Sequence, residues 1–327
     1  MHRAAPIALV RRARADTAAR RPVRGAARRS LAALAVTLAC ALLPVQAGVP
    51  ATPGWTLQFA DDFAGPQGQG PASEHWQFDL GHGYPGAAAN WGTQEVEENT
   101  ARPQNVSLDG DGHLRIVPLR DASGAWTSAR IETRREDFHA PAGGVLRIEA
   151  RLRLPDVHGE AALGYWPAFW TLGHSFRRQL DWPATGEVDV MENVNGLDRV
   201  WGTLHCGVSP GGPCHEKQGL SADVPCPGSP CQAGFHVYSA EWDRRESPQV
   251  LRWYVDGRLY HTLRETDVPP ATWQRMSARE GMFLILNLAI GGEFPDRLGA
   301  PVRTPTAATE PGHAMLVDYV AVWTRPG

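Results

Sequence analysis

The stretch Glu187-Val-Asp-Val-Met-Glu192 constrains this chain more than any other. Three carboxylates lie within six positions, separated by apolar side chains. Val188 and Val190 are β-branched, and the flanking Gly186 and Asn193-Val-Asn-Gly196 are turn material, so the segment reads as a strand. Strand side chains alternate between faces, which puts Glu187 and Asp189 together and sends Glu192 to the other side, under the sheet. An unpaired carboxylate is costly there. One extra residue near Val190-Met191, a β-bulge, returns Glu192 to the face of the other two, and bulges commonly re-aim side chains beside active sites.

A solvated acidic strand face is the plain alternative for such a pattern alone, but the neighbours argue against it. Trp166-Pro-Ala-Phe-Trp170 and Asp181-Trp-Pro183 lie upstream, and Trp201-Gly-Thr-Leu-His205 follows. Aromatic faces stack on sugar rings, and a pair of carboxylates is what cleavage of a glycosidic bond requires.

With these residues in place, the chain resembles glycoside hydrolase family 16, and within it the laminarinase type, whose signature carries the bulge. The resemblance extends over Trp55 to Phe63, Asn90 to Glu95, Ser128 to Ile131, Ile148 to Arg151, Leu286 to Gly292 and Val317 to Val320. It implies a jelly-roll sandwich of two antiparallel sheets with a concave substrate cleft. It also implies a retaining mechanism with Glu187 as nucleophile and Glu192 as general acid/base, a pair that sits about 5–5.5 Å apart. Glu192 must start protonated, so its pKa should be raised by nearby negative charge and partial burial. Asp189, on the same face as Glu187, can hydrogen-bond it and hold its orientation.

Further residues are expected at the cleft. Trp166, Trp170 and Trp182 are sugar platforms or core, with Trp182 the first choice as platform. Asn90 and Trp91 sit in a Gly-rich loop that suits a cleft rim. Glu95 and Arg130 match cleft-lining positions of similar proteins, a strand-face ion pair being the alternative for Arg130. Asn287 belongs to the matching block Leu286–Gly292, and His205 is expected to point into the cleft beside the carboxylates. No cofactor is implied for catalysis. Similar proteins often hold a structural calcium through the aspartate matching Asp318, with a turn carbonyl near Gly110-Asp-Gly112 as a second ligand. The chain departs from the common pattern at Pro141–Arg147, at Glu293-Phe-Pro295 and in its long cysteine-bearing loop, and each departure can reshape a subsite.

Before all this stand residues 1–47, with a run of arginines from Arg11 to Arg29, an apolar stretch from Leu31 to Val45 and the small-x-small site Val45-Gln-Ala47. They read as a signal peptide, by a twin-arginine or a general route, placing the product outside the cell or in the periplasm. Cys40 permits a lipoprotein alternative. Nine of the 32 Lys+Arg and one of the 35 Asp+Glu fall in that segment, leaving 23 basic against 34 acidic residues, a balance of −11. Nucleic acid is therefore an unsuitable partner, whereas a neutral polysaccharide makes no charge demand. No membrane association is expected after cleavage, and a monomer is.

Residues 48–327 are read as one catalytic domain. Its four cysteines, Cys206, Cys214, Cys226 and Cys231, suggest two disulfides in an exported chain. Of three connectivities, the short spacings favour Cys206–Cys214 with Cys226–Cys231. Leu146 to Leu154 alternates apolar and charged residues with a period of two. Other strands are expected at 113–118, 130–135, 200–206, 237–242, 251–255, 259–263, 283–290 and 316–323. Asp256-Gly257 is a hairpin turn signal, and Ala271–Arg279 reads as a short helix. Many short strands separated by turns make an all-β sandwich.

Overall fold

The computed structural model describes residues 48–276, 281–299 and 302–327. The expected signal peptide and the end of the expected helix lie outside the described residues; the helix itself is present over Pro270–Met276.

Seven strands form the sheet that carries the acidic segment: β1 (Trp76–Asp79), β2 (Arg130–Thr133), β3 (Tyr165–Gly173), β4 (Glu187–Glu192), β5 (Val200–His205), β6 (Leu220–Val224) and β7 (Met282–Ile290). Their spatial order is β6-β5-β4-β3-β7-β2-β1, and every pairing is antiparallel. A second antiparallel sheet of eight strands is built around Val145–Arg153, which lies between His236–Asp243 and Met315–Arg325. Arg258–Arg264 and Val250–Val255 extend it on one side. The expected Asp256-Gly257 hairpin joins those two strands, both turn residues having positive φ.

The two sheets share one core. Phe169, Val188, Leu204, Leu284, Leu286 and Leu288 from the first sheet pack with Leu146, Ile148, Ala150, Leu152, Val320 and Val322 from the second. Alternation then decides the cleft face. In β7, an otherwise apolar strand, Asn287 is the one polar residue, and it lies opposite the core-facing leucines. In β3, Phe169 enters the core while Trp166 and Trp170 face the other way, half-buried. One end of that face is closed by a satellite cluster of Leu172, Phe176, Phe283 and Ile285, against which Tyr84, Trp170, Leu180 and Trp182 pack. Both expected disulfides are present, Cys206–Cys214 and Cys226–Cys231.

Candidate active site

β4 delivers all three carboxylates to one face because it carries the bulge. Against β3, Phe169 lies opposite Met191 and Trp170 opposite Asp189, which leaves Val190 as the extra residue. Against β5, Asp189 faces Thr203 and Glu192 faces Trp201. Val188, Val190 and Met191 all enter the core, while Glu187 and Glu192 line a cleft of about 790 Å³.

The bulge is braced from the opposite sheet. Trp253 Nε1 donates to the Asp189 carbonyl at 2.8 Å. The indole passes over Gly202 of β5, where a Cβ would stand 2.5 Å from Trp253 and 2.4 Å from the Tyr260 hydroxyl, so a larger residue does not fit. Trp253→Phe keeps a ring in the core but removes the donor to a buried carbonyl. The expected result is a stability loss of about 1–3 kcal/mol in denaturant unfolding, with kcat falling more than KM rises because Glu192 loses its aim.

Each terminal carboxylate of the trio is held by an indole. Trp182 Nε1 donates to Glu187 Oε2 at 2.9 Å, and Trp166 Nε1 to Glu192 Oε1 at 2.9 Å. Thr203 Oγ1 donates to the second oxygen of Glu192 at 3.4 Å. His205 Nε2 lies 3.4 Å from Asp189 Oδ2 and 3.8 Å from Glu187 Oε1. Its Nδ1 is 2.6 Å from Glu216 Oε2. Burial pushes the Glu187 pKa up to about 7; His205 opposes that rise, and the charges of Glu192 and Glu216 add to it. Burial also raises Glu192, against His205 and the hydrogen bonds from Trp166 and Thr203. Asp189 is driven well above the carboxylate range, by burial first and then by Glu187 and Glu192. A cluster of this kind titrates as a unit and keeps protons at neutral pH. Asp189 is placed to share one with Glu187, and its buried Oδ2 faces His205 Nε2 at 3.4 Å.

The other expected residues divide. Trp91, Trp166, Trp182 and His205 line the same cleft as Glu187 and Glu192. Trp170 instead donates its Nε1 to Asn287 Oδ1 at 2.8 Å, and the two brace the sheet beside the cleft. Arg130, only 3% exposed, donates to Asp79 Oδ2 at 3.0 Å and to the Tyr84 hydroxyl at 2.9 Å. It is enclosed by the rings of Trp91, Trp170 and Tyr84, so it supports the cleft wall and does not present its guanidinium to a ligand. Glu95 is buried and accepts from the Thr93 hydroxyl, behind the cleft lining. Asn90 lines a second cavity of about 820 Å³ together with Gln94, Asp296 and Arg303. At Asp318, where a structural calcium is expected, the carboxylate is ion-paired with the Arg151 guanidinium.

The sequence reading used the segments of Trp201 and Phe294 in its argument without naming either as a site residue, and it gave no role to Thr203, Glu216 or Lys217; all five line the cleft. A period of two starting from His205 would have found Thr203 and Trp201. Lys217 Nζ donates to the Gly92 carbonyl at 2.8 Å and pairs with Glu293 at 3.0 Å. That contact ties the loop after β5 to the segment after β7.

Comparison with known proteins settles the family. A β-glucanase of Rhodothermus marinus is 32% identical over 310 residues, spanning 90% of this chain and 94% of its own. The chain belongs to glycoside hydrolase family 16. The model of the XgeA-like catalytic domain of that family matches residues 153–222, which include the trio. The crystal structure of an endo-1,3-β-glucanase from Streptomyces sioyaensis superposes with a TM-score of 0.83 at 54% identity, covering 85% of this chain and all of that one. A glucan endo-1,3-β-glucosidase of Cryptopygus antarcticus is 28% identical over 83% of this chain and 92% of its own. The protein is thus a glycoside hydrolase with the jelly-roll fold, in a family whose catalysis needs no cofactor.

Proposed function

We propose that this family 16 enzyme is a secreted, endo-acting, retaining β-glycanase whose substrate is a β-1,3-linked glucan of the laminarin type. The observation that carries the reading is the disposition of Glu187 and Glu192 on one face of β4, each held by an indole N–H inside a tryptophan-walled cleft. Glu187, oriented by Trp182 and Asp189 and facing His205, attacks the anomeric carbon. Glu192, its proton retained by burial, protonates the departing oxygen and later deprotonates the water that releases the glycosyl-enzyme. The β-1,3-glucan preference is supported by the names of the relatives from Streptomyces sioyaensis and Cryptopygus antarcticus. Secretion is supported by the signal-like residues 1–47 and by two disulfides.

The test is release of reducing ends from laminarin, lichenan, β-1,3-galactan and agarose. The expected result is a kcat/KM highest on laminarin, with a ladder of oligosaccharides early in the reaction. Preference for galactan, or release of a single short product from the outset, overturns the substrate or the endo assignment respectively.

A further inference from the structure

Glu216 lies in the loop between β5 and β6, away from the acidic strand, yet it is the closest charged partner of the active-site imidazole. Its side chain has no exposed surface. One carboxylate oxygen is 2.6 Å from His205 Nδ1, and the other accepts the Cys206 backbone N–H at 2.7 Å. The loop holds it there in two ways. The Cys206–Cys214 disulfide closes the chain just before it. Gly211 and Glu216 exchange backbone hydrogen bonds of 2.7 and 2.6 Å, folding the loop back on itself. Behind the ring, Gly219 (φ +72°) leaves the space that His205 fills, since a Cβ there would stand 2.9 Å from Cε1.

The imidazole thus has a carboxylate at each nitrogen: Glu216 at Nδ1, and Asp189 and Glu187 at Nε2. A neutral ring donates from one nitrogen only; with Nδ1–H given to Glu216, Nε2 can donate toward Glu187 and Asp189 only when the ring carries both protons. We propose that Glu216 is a positioning residue that holds His205 as an imidazolium with its Nε2–H aimed at Asp189 and Glu187. The cation beside the nucleophile is then set by the disulfide-closed loop and not by the catalytic strand.

The electrostatics agree with the geometry. Burial pulls the His205 pKa down, but the Glu216 hydrogen bond and the charges of Glu187, Glu216 and Glu192 outweigh it and raise it. Trp182, the other side chain packed on the ring, is uncharged, and the Lys217 ammonium is engaged with Glu293 and the Gly92 carbonyl. For Glu187, His205 is the strongest influence opposing burial, and it exceeds the direct repulsion from Glu216. Removing the Glu216 charge therefore raises the Glu187 pKa on balance, through the loss of the imidazolium.

The proposal rests on the nucleophile reading of Glu187 only for its kinetic arm. The primary test is an NMR titration of the histidine ring nitrogens in the full-length mature protein, which needs no substrate. Wild-type His205 should titrate above the ordinary histidine value, and in Glu216→Gln its pKa should fall by about 1–3 units. A wild-type value at or below the ordinary one overturns the proposal without recourse to any variant. So does an unchanged value in folded Glu216→Gln. Should that variant not fold, the double variant Cys206→Ser/Cys214→Ser, which keeps the carboxylate but frees the loop, should move His205 in the same direction by less; no movement again overturns it. In the kinetic arm, the acid limb of kcat/KM should move to higher pH in Glu216→Gln with KM little changed, a response that a merely structural role does not give. A shifted His205 in a protein without glycanase activity on any substrate defeats the functional reading and leaves this inference standing.

Discussion

Glu187→Gly should be almost inert on polysaccharide, with kcat lower by about 10⁴–10⁶, and azide should restore turnover of an activated β-glycoside to give the α-glycosyl azide. Removing the side chain deletes the nucleophile and opens a hole in the cleft floor. Two groups remain aimed at that hole: Trp182 Nε1, which donated to the lost carboxylate at 2.9 Å, and His205 Nε2, which lay 3.8 Å from it. An indole N–H and an imidazolium suit a small anion, so azide should bind where the carboxylate stood. Glu192 remains to protonate the leaving group. Only one displacement then occurs, and one displacement inverts a β-linkage to α. The measurement is the anomeric configuration of the azide product by proton NMR. A β-azide from this variant would exchange the roles of Glu187 and Glu192, and near-normal hydrolysis of laminarin would remove the catalytic assignment from β4 altogether.

The bulged acidic strand was readable from the sequence for a physical reason: strict alternation would have buried Glu192 in the core, and only a bulge avoids that cost. The structure puts the extra residue at Val190, within the expected pair. The bulge's support was not readable, because Trp253 is distant in sequence and reaches the Asp189 carbonyl only when the two sheets pack. β3, the strand paired with β4, was missed for a different reason. Its residues are apolar on both faces, one in the core and one among the aromatics of the cleft, so no alternation appears. Pro167 also argues against a central strand. It is tolerated because β4 ends with Glu192 opposite Ala168, and beyond that point the ladder on this side is no longer regular.

Arg130 and Glu95 illustrate a second limit. Their positions matched cleft residues, and both lie near the cleft, but what decides function is which neighbours saturate a side chain. Arg130 spends its donors on Asp79 and Tyr84 inside an aromatic enclosure, and nothing in the spacing of Asp79, Tyr84, Trp91 and Trp170 announces that they converge. Glu216 is the same case in reverse. A glutamate in a Gly/Pro-rich loop has no local pattern to mark it, and only the fold of the disulfide-closed loop brings it onto His205.

Glu192→Ala should fail in a way that depends on the leaving group. Trp166 Nε1 and the Thr203 hydroxyl lose their acceptor, while Glu187 keeps its contacts with Trp182 and His205. On laminarin, whose leaving oxygen must be protonated, kcat should drop by about 10²–10⁴, the usual contribution of a positioned acid/base. An aryl glycoside with an acidic phenol needs little protonation and should still glycosylate Glu187. The second step then lacks its base, so the intermediate accumulates and a burst of phenol should precede a slow steady state. Azide needs no base; it should intercept the intermediate and accelerate turnover. This attack is the second inversion at the same carbon, so the product should be the β-glycosyl azide, opposite to that from Glu187→Gly. The pH dependence should change as well. The basic limb of kcat/KM, which in the wild type marks loss of the Glu192 proton, should disappear for the aryl glycoside, while the acid limb set by ionisation of Glu187 should remain. A basic limb that survives in Glu192→Ala would assign the acid/base role to another group in the cleft.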